Sequence, residues 1–326
     1  MNYGETSSGP FIRRFSSQAG FLLLLFLVAA LPLAHPGPNV VRLVFITLVW
    51  IAASVGWNIL GGFAGQVSFG FAVFFGVGAY ATAISLNAGL GRASSLLLAA
   101  CVAAAASVLI SLPTFRLRGP YFAIATIGVS EATRVVMTNL QFTGGASGYR
   151  ITEHGAFNQL LHYYVALAVA AIAVAVSILV RRSKLGLALI AIREDEDAAS
   201  DLGVNPFRSK LLAHSIAAAL TGAAGGVYTG YAAFIYPQGV FGFDISVAIL
   251  LMPIIGGVGT LLGPVIGALV YGFVHEELMA SFPQFHLLLY GALLILIILF
   301  EPGGVMGMFD KAVRFVRARS SGGSHP

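Results

Sequence analysis

Glu131 and Arg134 stand one helical turn apart inside a long apolar run. A single charge at the centre of a bilayer costs about 2.5–3.5 kcal/mol on insertion scales, so one that is retained there faces protein or a water-filled cavity. The i, i+3 spacing places both side chains on one face, where they neutralise each other. The pair therefore reads first as structural and second as a solute contact. Asn58, Gln66 and Ser68 lie around a glycine-rich stretch and are neutral. With Tyr121, Thr126 and Glu131 they form a candidate lining for a path that handles a neutral or zwitterionic solute. A proton-coupled carrier would string several carboxylates through its core, and Glu131 has few companions at depth.

Group-transfer chemistry finds no matching motif. No lysine follows a glycine, so the phosphate cradle G-x-x-x-x-G-K-[ST] is missing. After Gly257-Val258-Gly259 the next glycine comes one residue too late for the dinucleotide fingerprint. Neither G-x-S-x-G, H-E-x-x-H nor a paired-cysteine spacing occurs. His275-Glu276-Glu277 lacks a second histidine and reads as a helix end at the outer surface. The seven histidines are scattered, and the single cysteine, Cys101, sits in an apolar run as a small core residue. The expectation is a chain that is not an enzyme and holds no metal or cofactor of its own.

The densest polar stretch is RRSKLGLALIAIREDEDAASDLGVNPFRSK, residues 181–210. It carries six of the chain's 18 basic residues and five of its 13 acidic ones, between two long apolar segments. Leu185, Ala188, Leu189 and Ile192 fall at i, i+3, i+4 and i+7, the spacing of an amphipathic helix. Asn205-Pro206 is expected to stop that helix, since proline restricts the residue before it. Two readings stay open: a surface helix that docks a soluble partner, and a solvated connecting loop.

These residues must be positioned by elements that live in lipid. Of 326 residues 58% are hydrophobic and only 10% charged, whereas soluble domains have about 25% charged. Apolar runs of helical length mark an all-α integral membrane protein rather than a barrel. The net charge of +5 is spread over several loops and reads as topology, not nucleic-acid binding. Residues 1–19 form a polar tail whose Arg13 and Arg14, before the apolar run 21–31, resemble a signal peptide. The many runs that follow favour an uncleaved first span. Further runs lie at about 40–60, 68–88, 93–112, 120–140, 163–181, 209–236, 245–255, 265–275 and 286–300. That makes about ten spanning or partly spanning helices in one transmembrane domain, 20–308, followed by a basic tail, 309–326. Ten crossings put both termini on one side. That side receives 14 of the 18 basic residues, and Arg42, Arg92, Arg134 and Arg150 fall on the other. The positive-inside rule makes the termini and the island cytoplasmic.

Glycine breaks the runs at GGFAGQ (61–66) and at Gly256-Gly257-Val258-Gly259 through Gly263-Pro264, with Pro253 expected to kink the helix before the second. Non-helical backbone at membrane depth survives only where protein or a water-filled cavity satisfies it, so paired breaks point to a translocation path. The alternative is a pair of tight cytoplasmic turns. Gly222, Gly226, Gly230 and Gly259, Gly263, Gly267 recur at intervals of four and let helix backbones approach closely.

The segments GGFAGQVSFGFAVFFGVGAY (61–80), LRGPYFAIATIGVSEATRVV (117–136), TGGASG (143–148), AIREDEDAASDLGVNPFRSKLLAHSIAAALTGAAGGVY (191–228), ILLMPIIGGVGTLLGPVIGALV (249–270) and FEPGGVMG (300–307) together resemble the LivM-type permeases of branched-chain amino acid ABC importers. The likeness covers nearly the whole chain. Asp197-Ala198-Ala199 followed by Gly203 is similar to the E-A-A-x-x-x-G coupling signature of ABC permeases, with Asp in place of Glu. The resemblance implies a type II-like importer permease in the bacterial inner membrane. It implies a homologous LivH-type partner, two cytoplasmic ATPase subunits that bind the ATP, and an extracytoplasmic solute-binding protein. It also makes the island a coupling helix, with Arg193, Glu194, Asp195, Glu196, Asp197, Ala198, Ala199 and Gly203 as ATPase-coupling residues. Phe71 stands where the family commonly has a polar residue, often His, and Pro253 replaces an aliphatic one. If position 71 touches the path, the solute is more apolar or aromatic than leucine. Related permeases carry urea, short amides and aromatic acids. The rival readings are a stand-alone carrier or channel and, more remotely, a membrane scaffold.

Overall fold

The computed structural model describes residues 28–34, 37–152, 158–281 and parts of 288–311. The runs at 21–31 and 286–300 and both tails lie largely or wholly outside these residues. Within them the chain is helical almost throughout. In order come α1 (Pro38–Gly61), α2 (Phe71–Asn87), α3 (Arg92–Thr114), α4 (Pro120–Asn139), α5 (Gln159–Arg182), α6 (Lys184–Glu194), α7 (Glu196–Asp201), α8 (Pro206–Ala232), α9 (Pro237–Phe241), α10 (Phe243–Gly256) and α11 (Gly263–Ser281). Each internal run expected between 40 and 275 falls mainly on one of these helices. By length and hydropathy α1, α3, α5, α8 and the α9–α10 pair can cross a membrane, while α2 and Gly263–His275 are apolar but shorter. Helix α4 is diluted by Ser130, Glu131, Thr133, Arg134 and Thr138. Helix α11 continues through His275 to Ser281, so His275 does not end a helix.

Helix α8 is the central post, packed against α1, α2 and α3. Its glycines make this possible. A Cβ on Gly222 would overlap the Ala103 methyl of α3, and one on Gly225 would overlap the Phe75 carbonyl of α2. Facing them, α3 buries a seam of small residues four apart: Ser95, Ala99, Ala103, Ser107 and Ser111. Small residues on both sides let the backbones pack at close range. Cys101 falls off that seam and is exposed, which corrects the expected core placement. Helices α10 and α11 form a second tight pair, in which a Cβ on Gly267 would overlap the Met252 carbonyl. Pro253 lies inside α10 without ending it.

The two ends of the bundle differ. At one, β1 (Tyr149–Arg150) pairs antiparallel with β2 (Phe234–Ile235), and Asn87 donates to the Arg150 carbonyl at 2.9 Å. The other end carries the charged island. Here the structure corrects the expected helix stop. The amphipathic helix α6 ends at Glu194, where Asp195 caps α7 by accepting from the Asp197 and Ala198 amides, each at 2.9 Å. Asn205-Pro206 instead starts α8: Asn205 Oδ1 accepts from the Arg208 amide at 3.0 Å. Proline suits the first helical turn, where its missing N–H would have no partner, and asparagine is a strong N-cap.

Candidate functional site

Neither glycine break interrupts a helix in mid-run. The first links α1 to α2, the second links α10 to α11, and both lie at the island end. Phe63, Ala64, Gln66 and Ser68 are buried, so the first break is lined by protein. Gly65 (φ +70°), Gly257 (φ +126°) and Gly259 (φ +76°) adopt conformations that other residues rarely take.

One fully buried side chain joins the two breaks. Asn58, on the last turn of α1, accepts from the Gly259 amide at 2.9 Å and donates to the Thr260 carbonyl at 2.9 Å. Its own carbonyl accepts from the Gly62 amide at 2.9 Å. Buried backbone groups outside regular structure need such partners. Two arginines close the arrangement from outside. Arg193, on the last turn of α6, donates from Nη1 to the Gly62 carbonyl at 2.8 Å. Arg181, on the last turn of α5, donates to the Gly259 carbonyl, and its guanidinium lies 5.4 Å from the Phe63 ring centroid. There is no slack: a Cβ on Gly65 would stand 3.1 Å from Arg193 Cγ, and one on Gly62 would stand 2.6 Å from the Asn58 carbonyl. The short turn at 303–308 backs the second break, with the Gly303 carbonyl 3.0 Å from where a Gly257 Cβ would be.

The outer face of the island is a charged surface. Helix α6 turns Leu189 and Ile192 inward, as the spacing predicts. Arg118, just before α4, grips the Asp197 carboxylate with two hydrogen bonds of 3.0 and 2.9 Å. Those bonds, and then the Arg118 charge, hold the Asp197 carboxyl below its ordinary value. The Arg118 guanidinium is held above its own by the same hydrogen bonds and by the acidic charges around it. Lys210 is 1% exposed, pairs with Glu196 at 2.7 Å and lies 5.6 Å from the Phe115 ring centroid. Ala199 is buried under α7, and Gly203 turns the chain at φ +86°. Arg118, Glu196, Asp197, Ser200, Gly203 and Phe207 line an open groove of about 430 Å³. Its groups suit recognition of a charged protein surface.

The residues proposed for a path fall into two groups. Around the first break, the Ser68 carbonyl accepts from Trp57 Nε1 at 2.8 Å and Ser68 Oγ accepts from the Gly70 amide at 3.2 Å. Thr126 Oγ1 accepts from the Phe69 amide at 3.1 Å, and the Gln66 amide reaches the Leu60 carbonyl at 3.4 Å. Phe71 has no exposed surface. It packs edge-on against Phe74 and Trp57, with ring centroids 5.5 and 6.5 Å away, and lines no opening in this conformation. Tyr121 and Glu131 lie apart, on the exposed face of α4. Glu131 accepts from Arg134 Nε at 2.9 Å, and Arg134 also donates to Gln238 Oε1 of α9 at 2.6 Å. Sequence reasoning did not single out Arg181, Arg118, Lys210 or Gln238. Arg181 was visible only as a basic residue at a helix end, and Arg118 only as the charge preceding Gly119-Pro120.

Residues 39–298 match the family described as branched-chain amino acid transport system / permease component. The high-affinity branched-chain amino acid transport system permease protein LivM of Escherichia coli K12 is 31% identical over 91% of this chain and 78% of its own length. LivH of Salmonella typhimurium is 33% identical over 40% of this chain and 42% of its own length. A probable LivM of Methanocaldococcus jannaschii is 23% identical over 65% of this chain and 67% of its own. No solved structure matches. With the family model spanning most of the helical bundle, this multi-pass membrane chain belongs to the branched-chain amino acid transport permeases, a family of transport components rather than enzymes.

Proposed function

We propose that the chain is the membrane-spanning subunit of an ATP-driven importer for branched-chain amino acids or related small solutes, with hydrolysis carried out by separate ATPase subunits. The observation that carries this reading is the island. Eleven charges lie between Arg181 and Lys210, around two short capped helices, α6 and α7, at one end of an apolar bundle. Asp197 and Gly203 line an open groove there, with Ala199 buried beneath it. A carrier that works alone has no need of so charged a projection. The cargo class comes from the printed names of the LivM and LivH relatives.

In this reading the bundle sits in a bacterial inner membrane with its island and termini in the cytoplasm, supported by the bias of 14 of 18 basic residues to that side. A LivH-type permease is the second transmembrane half, and the likeness of this chain to LivH supports two homologous halves. A solute-binding protein delivers cargo on the far side. ATP binding draws the two ATPases together, the groove at α7 takes up that movement, and the paired permeases alternate between outward and inward access. No ATP site is assigned to this chain. The test is uptake into proteoliposomes holding both permeases and the ATPases, with a panel of binding proteins for branched-chain amino acids, aromatic acids, urea and amides. ATP-dependent accumulation, with release of the ATPase on charge reversal at Glu194–Asp197, is the expected result. Uptake that proceeds with no ATPase present overturns it.

A further inference from the structure

We infer that Arg193, Arg181 and Asn58 are the positioning residues through which movement of α6 and α7 reaches both glycine breaks together. This rests on the importer reading above. The contacts form a continuous chain: Arg193 to the Gly62 carbonyl, the Gly62 amide to the Asn58 carbonyl, the Asn58 side chain to Gly259 and Thr260, and the Gly259 carbonyl to Arg181. Every link ends on backbone atoms of a break. A displacement of α6 is therefore imposed on the connecting backbone itself rather than on a side chain that can swing aside.

The receiving backbone is suited to such a displacement. Gly65, Gly257 and Gly259 already adopt positive φ, and glycine crosses between backbone regions with little steric penalty, as hinge segments require. Beyond the first break lies α2, which packs on the central α8, and beyond the second lies α11. Turning both breaks with one lever moves the α1–α2 and α10–α11 hairpins in step. Arg193, although exposed, is thus assigned to the bundle side of the coupling element by its bond to Gly62. Asp197 and its groove face the partner.

The experiment uses the complete reconstituted transporter and measures solute moved per ATP hydrolysed, together with retention of the ATPase subunits. Arg193→Met keeps the stem and removes every donor, and Arg193→Lys keeps one cationic donor. The expected result is that Arg193→Met retains the ATPases while transport per ATP falls about tenfold, a typical coupling free energy, and that Arg193→Lys recovers much of it. An unchanged ratio in Arg193→Met overturns the linkage. So does loss of ATPase retention, which would make Arg193 a docking contact. If Arg193→Met does not reach the membrane, Arg181→Met carries the test by the same ratio and the same criteria. A wild-type complex without ATP-dependent uptake counts instead against the importer reading, whatever the variants do.

Discussion

Asn58→Leu is the cleanest probe of how the two breaks are joined. Leucine matches asparagine in side-chain heavy atoms and branches at the same carbon but is bulkier, so the change removes hydrogen bonds without opening a cavity and adds some crowding. Two contacts disappear, from the Gly259 amide and to the Thr260 carbonyl, each 2.9 Å long. Gly259 is buried while Thr260 is partly accessible, so the amide is left without a partner and the carbonyl recovers part of its bonding from water. An orphaned buried donor costs about 1–3 kcal/mol, and with the smaller second term the total is about 2–3 kcal/mol. That shifts an unfolding equilibrium about 30- to 150-fold. Denaturation of the purified chain in mixed micelles, followed by tryptophan fluorescence, reads it directly. The chain has two tryptophans, and Trp57 is bonded to Ser68 within the first break. An unfolding free energy within about 0.5 kcal/mol of wild type, the ordinary scatter of neutral substitutions, would refute the assigned role.

Three further outcomes follow from the packing and the charges. Gly222→Ala drives a methyl against Ala103 and costs about 1–3 kcal/mol in the same assay. Gly128→Ala, which meets nothing within 4 Å, is neutral or stabilises by up to about 1 kcal/mol; equal effects at the two sites would contradict the close seam. Glu196→Gln strands the buried Lys210 ammonium and lowers stability by about 3 kcal/mol, whereas Lys210→Met combined with Glu196→Leu restores most of it; a double variant no better than the single one would rule this out. The Asp197 carboxyl is depressed in the folded state, so its pairing with Arg118 contributes fully above the ordinary value of 3.8. That contribution is lost as pH falls through the lower folded value. Melting temperatures measured down the acid range should show this loss in wild type and not in Asp197→Asn.

The helices were legible because each is an apolar run closed by punctuation that acts locally: Gly61-Gly62 after α1, Gly119-Pro120 before α4, Gly256-Gly257 after α10. The inward face of α6 was legible for the same reason, since the periodicity of Leu185, Ala188, Leu189 and Ile192 belongs to the helix alone. The division between α6 and α7 was harder to see. Asp195 works there as an N-cap, and a single aspartate in a run of acids gives no local sign of that use. The role of Asn58 was not legible at all, because its partners Gly259 and Thr260 lie about 200 residues along the chain. The sequence marks it as a polar residue near one break, and the structure makes it the bond between two. Cys101 was placed in the core by its apolar surroundings, although in a membrane an apolar neighbourhood marks lipid-facing and protein-facing positions alike.

That placement of Cys101 has a practical side. It is the chain's one cysteine and it is exposed on the outer flank of the apolar helix α3, where in a membrane it meets lipid rather than water, so a small apolar thiol reagent reaching it in detergent places one probe at a single known position of this chain. A probe there reports its surroundings by colour and quenching. Comparing the lone subunit with the assembled transporter would then show, from one native atom, which flank of the bundle its neighbour covers.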